Sequence, residues 1–213
     1  MSKYPIFLEL QGRRVVVIGA GAVAVRKVQS LSAAGARVVV VAEKIEDSPV
    51  FTPSPNIELI KSKYSRDYLA GASLVIAATN NNELNRQIYK DCQEHDILCN
   101  VVDVPEFCDF FVPAVVKRGH LKIAIGTEGN CPAYAGHIRK KLEKIFSEKH
   151  GKFLAEMEAI RTQIINEVPG QANRKAMLGK LVEDESFEYY AENGSQKWRE
   201  RANKIINEFK TRI

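Results

Sequence analysis

Residues 15–43 read VVVIGAGAVAVRKVQSLSAAGARVVVVAE. Few folds accommodate such a stretch. An unbroken run of valine and isoleucine without polar alternation has to be buried on both faces, as a strand inside a parallel sheet is. Two such runs joined by a helix-length segment make a βαβ unit, in which the helix crosses back over the sheet. The spacing predicts strands over 14–18 and 37–41. It predicts a helix over 22–34, stopped by Gly35.

The turn between the first strand and the helix is Gly19-Ala20-Gly21-Ala22-Val23-Ala24, a G-x-G-x-x-A pattern in the strand-to-helix context that gives it meaning. Gly19 permits the tight turn. Gly21 lets backbone approach a pyrophosphate with no Cβ in the way, and Ala24 is small enough for the helix to pack on the strand. The first helical N–H groups, around Ala22 and Val23, offer donors and partial positive charge to phosphates. The pattern therefore points to a dinucleotide, against the alternative of a tight turn beside an empty crevice. Glu43, 22 residues after Gly21, is either the acid that bonds an adenosine ribose or a surface residue. Lys44 is the only base beside it, which favours NAD over NADP. Thr79 and Asn80 follow a further strand at the ligand-binding edge, where they serve the cofactor, cap a helix, or both.

Further strands are expected over 57–60, 74–78 and 97–102, with a short helical turn over 66–69 and a helix over 83–94 capped from Asn80–Asn82. A proline-containing loop spans 48–56. Beyond Asp103 the pattern changes. Runs 112–116 and 121–125, joined by Lys117-Arg118-Gly119-His120, read as an antiparallel hairpin. Pro132 suits the first turn of a helix reaching about Ser147. After Gly151 only helical spacing remains, broken at Pro169-Gly170 and Asn193-Gly194.

The chain has 213 residues, 45% hydrophobic, with net charge +5. No apolar run is long enough to span a membrane, and no secretory leader is recognisable at the start. The four cysteines (92, 99, 108 and 131) form no metal-ligand spacing, and reduced thiols in a cytoplasm are expected. The four histidines form no ligand set, so no metal site is expected. Between Lys117 and Lys152 bases outnumber acids. No nucleic-acid motif accompanies them, and a polyanionic small molecule is the preferred partner over nucleic acid.

A set of motifs is more specific than any one of these. In order they are Tyr4-Pro5-Ile6-Phe7-Leu8, the glycine turn, Val25-Arg26-Lys27 and Ala77-Ala78-Thr79-Asn80. Then come Asn100-Val101-Val102-Asp103-x-Pro105-x-x-Cys108-x-Phe110, Val112-Pro113-Ala114 and Gly126-Thr127-x-Gly129-x-x-Pro132-Ala133. Over about residues 4–147 the chain resembles the precorrin-2 dehydrogenase family, including the amino-terminal module of siroheme synthase. The resemblance implies an α/β fold in three parts. These are an NAD-binding Rossmann domain (1–113), a hairpin-and-helix dimerisation region (114–147) that makes a homodimer, and a helical domain (148–213). It implies oxidation of precorrin-2 to sirohydrochlorin with NAD⁺, with Asp103 as the acid–base residue. A carboxylate at that point suits a reaction that removes a hydride and a proton; the plainer reading is a turn-forming aspartate. Lys117, Arg118, His120, Arg139 and Lys140 become the expected donors to the eight carboxylates of the substrate. Cys131 stands where the family has serine and is expected to line the site at best. Two other readings stay open: a dehydrogenase that also inserts iron or cobalt, and a non-catalytic NAD sensor.

Overall fold

The computed structural model describes residues 3–45, 48–51 and 54–211. Thr52 and Pro53 of the expected loop, and the last two residues, lie outside that set. The chain divides into two units, Met1–Val112 and Pro113–Ile213. The hairpin and all later helices thus fall in one unit, whereas the sequence reading placed a further boundary at 147/148.

The first unit is a five-stranded parallel sheet of β1 (Arg14–Ile18), β2 (Arg37–Ala42), β3 (Ile57–Lys61), β4 (Leu74–Ala77) and β5 (Leu98–Val101), ordered β3-β2-β1-β4-β5. Helix α1 (Ala22–Ala33) connects β1 to β2, and α2 (Asn82–Gln93) connects β4 to β5. The valine runs explain the layering. Val15, Val17, Val38 and Val40 face a core containing Ala24, Val28 and Leu31 of α1. Val16, Ile18, Val39 and Val41 face the opposite core, with Ile88 and Cys92 of α2. Each fully buried valine contributes about 1.5–3 kcal/mol relative to exposure. A register slip of one residue would exchange the two cores, so the pairing is strongly specified.

Because β1 is followed on one side by β2 and on the other by β4, the chain leaves these two neighbouring strands in opposite directions. A crevice opens at their carboxyl ends, the place where sheets of this kind bind ligands. The observed elements depart from expectation by a residue or two. β2 extends to Ala42, and α2 begins at Asn82, with the Asn81 side chain accepting from the N–H groups of Glu83 and Leu84 at 3.0 and 3.1 Å.

The second unit opens with the antiparallel hairpin β6 (Ala114–Arg118) and β7 (Leu121–Ile125), turned by Gly119-His120. Helices α3 (Pro132–Ile145), α4 (Glu148–Glu167), α5 (Gln171–Leu181) and α6 (Asp184–Lys210) follow, the last kinked at Gly194. Met157, Ile160 and Ile164 of α4 pack with Met177, Leu181, Trp198 and Ile206. The buried Trp198 indole donates to Ser186 Oγ at 2.9 Å.

The hairpin sits on α4 through Gly151. A Cβ built there would lie 2.4 Å from the Arg118 carbonyl oxygen, which is backbone and cannot swing away. Gly151→Ala is therefore expected to destabilise this unit by about 1–3 kcal/mol, measured as a lower midpoint in urea unfolding. An unchanged midpoint would mean that the hairpin is not seated so closely.

Candidate active site

The glycine turn is built for close approach. Gly19 has φ +108°, and a Cβ on it would stand 2.3 Å from the carbonyl oxygen of Ala78, just past β4. The turn after β1 and the loop after β4 are thus in backbone contact. Gly19 N–H donates to Val41 O at 2.9 Å, which ties the turn to β2 as well. Gly21 is extended (φ −78°, ψ 180°) and is the N-cap of α1, with no side chain capping the helix and no acid in its first turn. The contrast with α2, capped by Asn81, is informative. The N–H groups around Ala22 and Val23 face the crevice end of the sheet with no side-chain acceptor among the described residues, and a pyrophosphate would supply the missing acceptors. The residues present fit the phosphates of a dinucleotide.

The other expected cofactor residues share this edge. Glu43 is exposed and directly follows β2. Thr79 and Asn80 follow β4. The Thr79 hydroxyl donates to Asn85 Oδ1 at 2.6 Å, and its carbonyl accepts from Asn85 Nδ2 at 3.0 Å, so Thr79 braces the start of α2. Asn80 is exposed.

Asp103 arrives at the same edge from β5. Val102 N–H donates to Ala77 O at 2.9 Å, which fastens the end of β5 to the end of β4. The following loop folds back on its own strand. Asp109 N–H donates to Cys99 O, and Asp109 Oδ2 accepts from Cys99 N–H, both at 2.8 Å. Asn100 Nδ2 donates to Phe110 O at 2.9 Å, and the Cys108 thiol lies within 3.2–3.3 Å of the Val101 and Val104 carbonyls that flank Asp103. Within this frame Asp103 is exposed, at φ +62°, with no hydrogen bond of its own among the described residues. Left-handed backbone is tolerated by aspartate, at some cost, and gathers at functional sites.

Sequence reasoning missed one neighbour. Lys27, on α1, is half-buried and interacts with both Asp103 and Cys108. Burial, aided by the Arg26 guanidinium, pushes its ammonium below the ordinary lysine range, and Cys108 and Asp103 oppose that shift. It was visible only as part of Val25-Arg26-Lys27.

In the second unit the expected basic residues separate into two kinds. Arg118 is spent on structure. Its guanidinium donates to the carbonyls of Phe146 (2.7 Å), Glu143 (3.0 Å) and Lys117 (2.9 Å), and it pairs with Glu148 at 3.4 Å. A cation there caps the carboxyl end of α3. Arg139 pairs with Glu143 one turn along α3. Lys117, His120 and Lys140 are exposed and carry no ion pair among the described residues. Lys122, another base the site assignment left out, stands directly across the hairpin from Lys117. Cys131 is the N-cap of α3 by position, exposed, and its thiol caps nothing.

Residues 6–114 match a family described as "Putative NAD(P)-binding". The chain belongs to that family. It is 35% identical over 184 residues to the siroheme synthase of Psychrobacter arcticus, covering 86% of this chain and 34% of that protein. It is 33% identical over 194 residues to that of Actinobacillus pleuropneumoniae serotype 3, covering 91% of this chain and 40% of that protein. The chain thus spans between a third and two fifths of the length of these relatives. Among solved structures it is similar to "SirC, precorrin-2 dehydrogenase", with TM-score 0.75 at 21% identity, covering 95% of this chain and 100% of that one. That likeness extends the fold comparison through the hairpin and the carboxyl-terminal helices.

If the turn holds the cofactor, a side chain at Gly19 has nowhere to go. Gly19→Ala is expected to weaken NAD⁺ binding by about tenfold or more, read by calorimetry, with the folded state checked by circular dichroism. Binding within experimental error of wild type would remove this turn from the cofactor site.

Proposed function

We propose that the chain is an NAD⁺-dependent precorrin-2 dehydrogenase serving siroheme synthesis. The observation that carries this reading is the convergence at one sheet edge of a glycine-led helix start without a side-chain cap and a carboxylate, Asp103, held in a left-handed turn with no hydrogen bond among the described residues. The siroheme synthase relatives and the SirC fold support it. NAD⁺, when bound, accepts the hydride. Precorrin-2 gives up that hydride and a proton to become sirohydrochlorin, and Asp103 takes the proton. Glu43, directly after β2 with only Lys44 beside it, favours NAD over its 2′-phosphorylated form.

We assign the carboxylates of the substrate to Lys117, His120, Lys122 and Lys140. Lys117 and Lys122 oppose each other at one hairpin position, and like charges directly opposite are unfavourable until an anion lies between them. Arg118 and Arg139 serve the scaffold instead, and Cys131 is left as a lining residue. The chain works as a homodimer through the hairpin, in the cytoplasm. The outward hairpin face, with Val115 39% exposed, and the unpaired edges of a two-stranded sheet support pairing with a second copy.

The test is direct. Wild-type protein with precorrin-2 and NAD⁺ should yield sirohydrochlorin and NADH, followed by absorbance, and adding Fe²⁺ or Co²⁺ afterwards reads any metal insertion. Asp103→Asn should lose about 10²–10⁴-fold in kcat while binding NAD⁺ normally. A variant with full turnover would remove Asp103 from the chemistry. Replacing Lys117 and Lys122 together with methionine should raise KM by about tenfold or more, and an unchanged KM would release both lysines from the substrate.

A further inference from the structure

We propose that Lys27 is a positioning residue for Asp103, its ammonium giving the exposed carboxylate a fixed electrostatic partner at the mouth of the crevice. The inference rests on the reading of Asp103 as the proton acceptor.

Three observations lead to it. The first is placement. Helical side chains lean toward the amino end of their helix. From the second turn of α1, the lysine stem therefore carries its Nζ toward the carboxyl edge of the sheet, where the Asp103 turn lies. The second is packing. Ala24, Val25 and Val28 of α1 share one apolar cluster with Val102 and Phe110, which bracket the Asp103 loop. The helix and the loop are seated on the same face of the sheet. The third is the charge inventory. Lys27 is half-buried, and among the described residues neither its ammonium nor the Asp103 carboxylate has a hydrogen bond or an ion pair within 4 Å. Taking a cation partly out of water without a direct partner is unfavourable. The groups facing it are Arg26 from its own helix, which repels it, and Asp103 and Cys108 from the loop after β5; Asp103 attracts it, and the Cys108 thiol, pushed up by burial, does so only as thiolate.

The consequence concerns freedom of motion. The Asp103 backbone is held by the Val102–Ala77 bond and by the loop that Asn100, Cys108 and Asp109 fold back. What remains free is the side chain. A cation fixed on a helix narrows the directions its carboxylate can take, and narrowing of that kind matters to a group that must meet a particular proton.

The experiment uses the full chain as wild type, K27M, K27R and D103N. Carbon-13-labelled lysine, assigned through the peak missing in K27R, reports the titration of Lys27. It should titrate below the ordinary lysine range. In D103N it should fall lower still, because the carboxylate that opposes the shift is gone. With precorrin-2, K27M should lose about tenfold or more in kcat, with the NAD⁺ dissociation constant changed less than about twofold. K27R should recover most of the rate. The proposal is overturned if Lys27 titrates identically in D103N, if K27M keeps its kcat, or if its whole defect is weaker NAD⁺ binding, which would make Lys27 a cofactor ligand. Were wild type itself to leave precorrin-2 unchanged, the dehydrogenase reading would fall and the proposal with it. Were only the lysine shift absent, the proposal alone would fall.

Discussion

The contact on which the first unit depends is backbone against backbone: the turn at Gly19 lying on the carbonyl of Ala78. Adjacent parallel strands sit about 4.8 Å apart, and the connections leaving β1 and β4 start from neighbouring points before diverging to opposite faces of the sheet. Only a residue without a Cβ, free to take φ +108°, lets the first connection turn at once into a helix without striking the second. The rest follows from that tight exit. Helix α1 begins immediately at the sheet edge, its first N–H groups are left without side-chain acceptors, and Thr79 and Asn80 are held beside them.

The second constraint is the loop after β5. Most of its distinctive residues are scaffold. Asn100 is nearly buried and holds the Phe110 carbonyl, Asp109 pairs with the backbone of Cys99, and Cys108 lies against the carbonyls on either side of the turn. Asp103 is different, because it makes none of these bonds. A purely structural aspartate in a turn ordinarily bonds its own backbone two residues on. The Asp103 carboxylate, on a left-handed residue, is bonded to nothing among the described residues and so stays free for the proton transfer proposed for it.

The β1–α1–β2 unit was legible in the sequence almost to the residue, since parallel strands and a glycine turn leave a local signature. So was the capping of α2, where only the choice among three asparagines was open. What only the structure shows has a different cause. Arg118 was counted as a substrate ligand because a sequence shows charge but not the carbonyls that absorb it. Lys122 was given no part, because its closeness to Lys117 exists only through hairpin register. Lys27 was quoted within a motif and given no role, because its relation to Asp103 spans 76 positions and depends on helix tilt and loop packing. The break between α5 and α6 had no glycine or proline to announce it.

These cases suggest how a net positive charge should be read. Exposed ion pairs contribute little, about 0–1 kcal/mol each, so charge balance on a surface is weakly constrained by folding. Cations that the fold has committed, such as Arg118 on the end of α3 and Arg139 on Glu143, say little about partners. The informative ones are those the fold leaves in an unfavourable place: Lys117 opposite Lys122 on the hairpin, and Lys27 drawn partly out of water beside Arg26. A neutral side chain at either position would relieve the repulsion. An anion beside either would do the same: on the hairpin, the carboxylates proposed for the substrate, and at the crevice Asp103, with which Lys27 interacts.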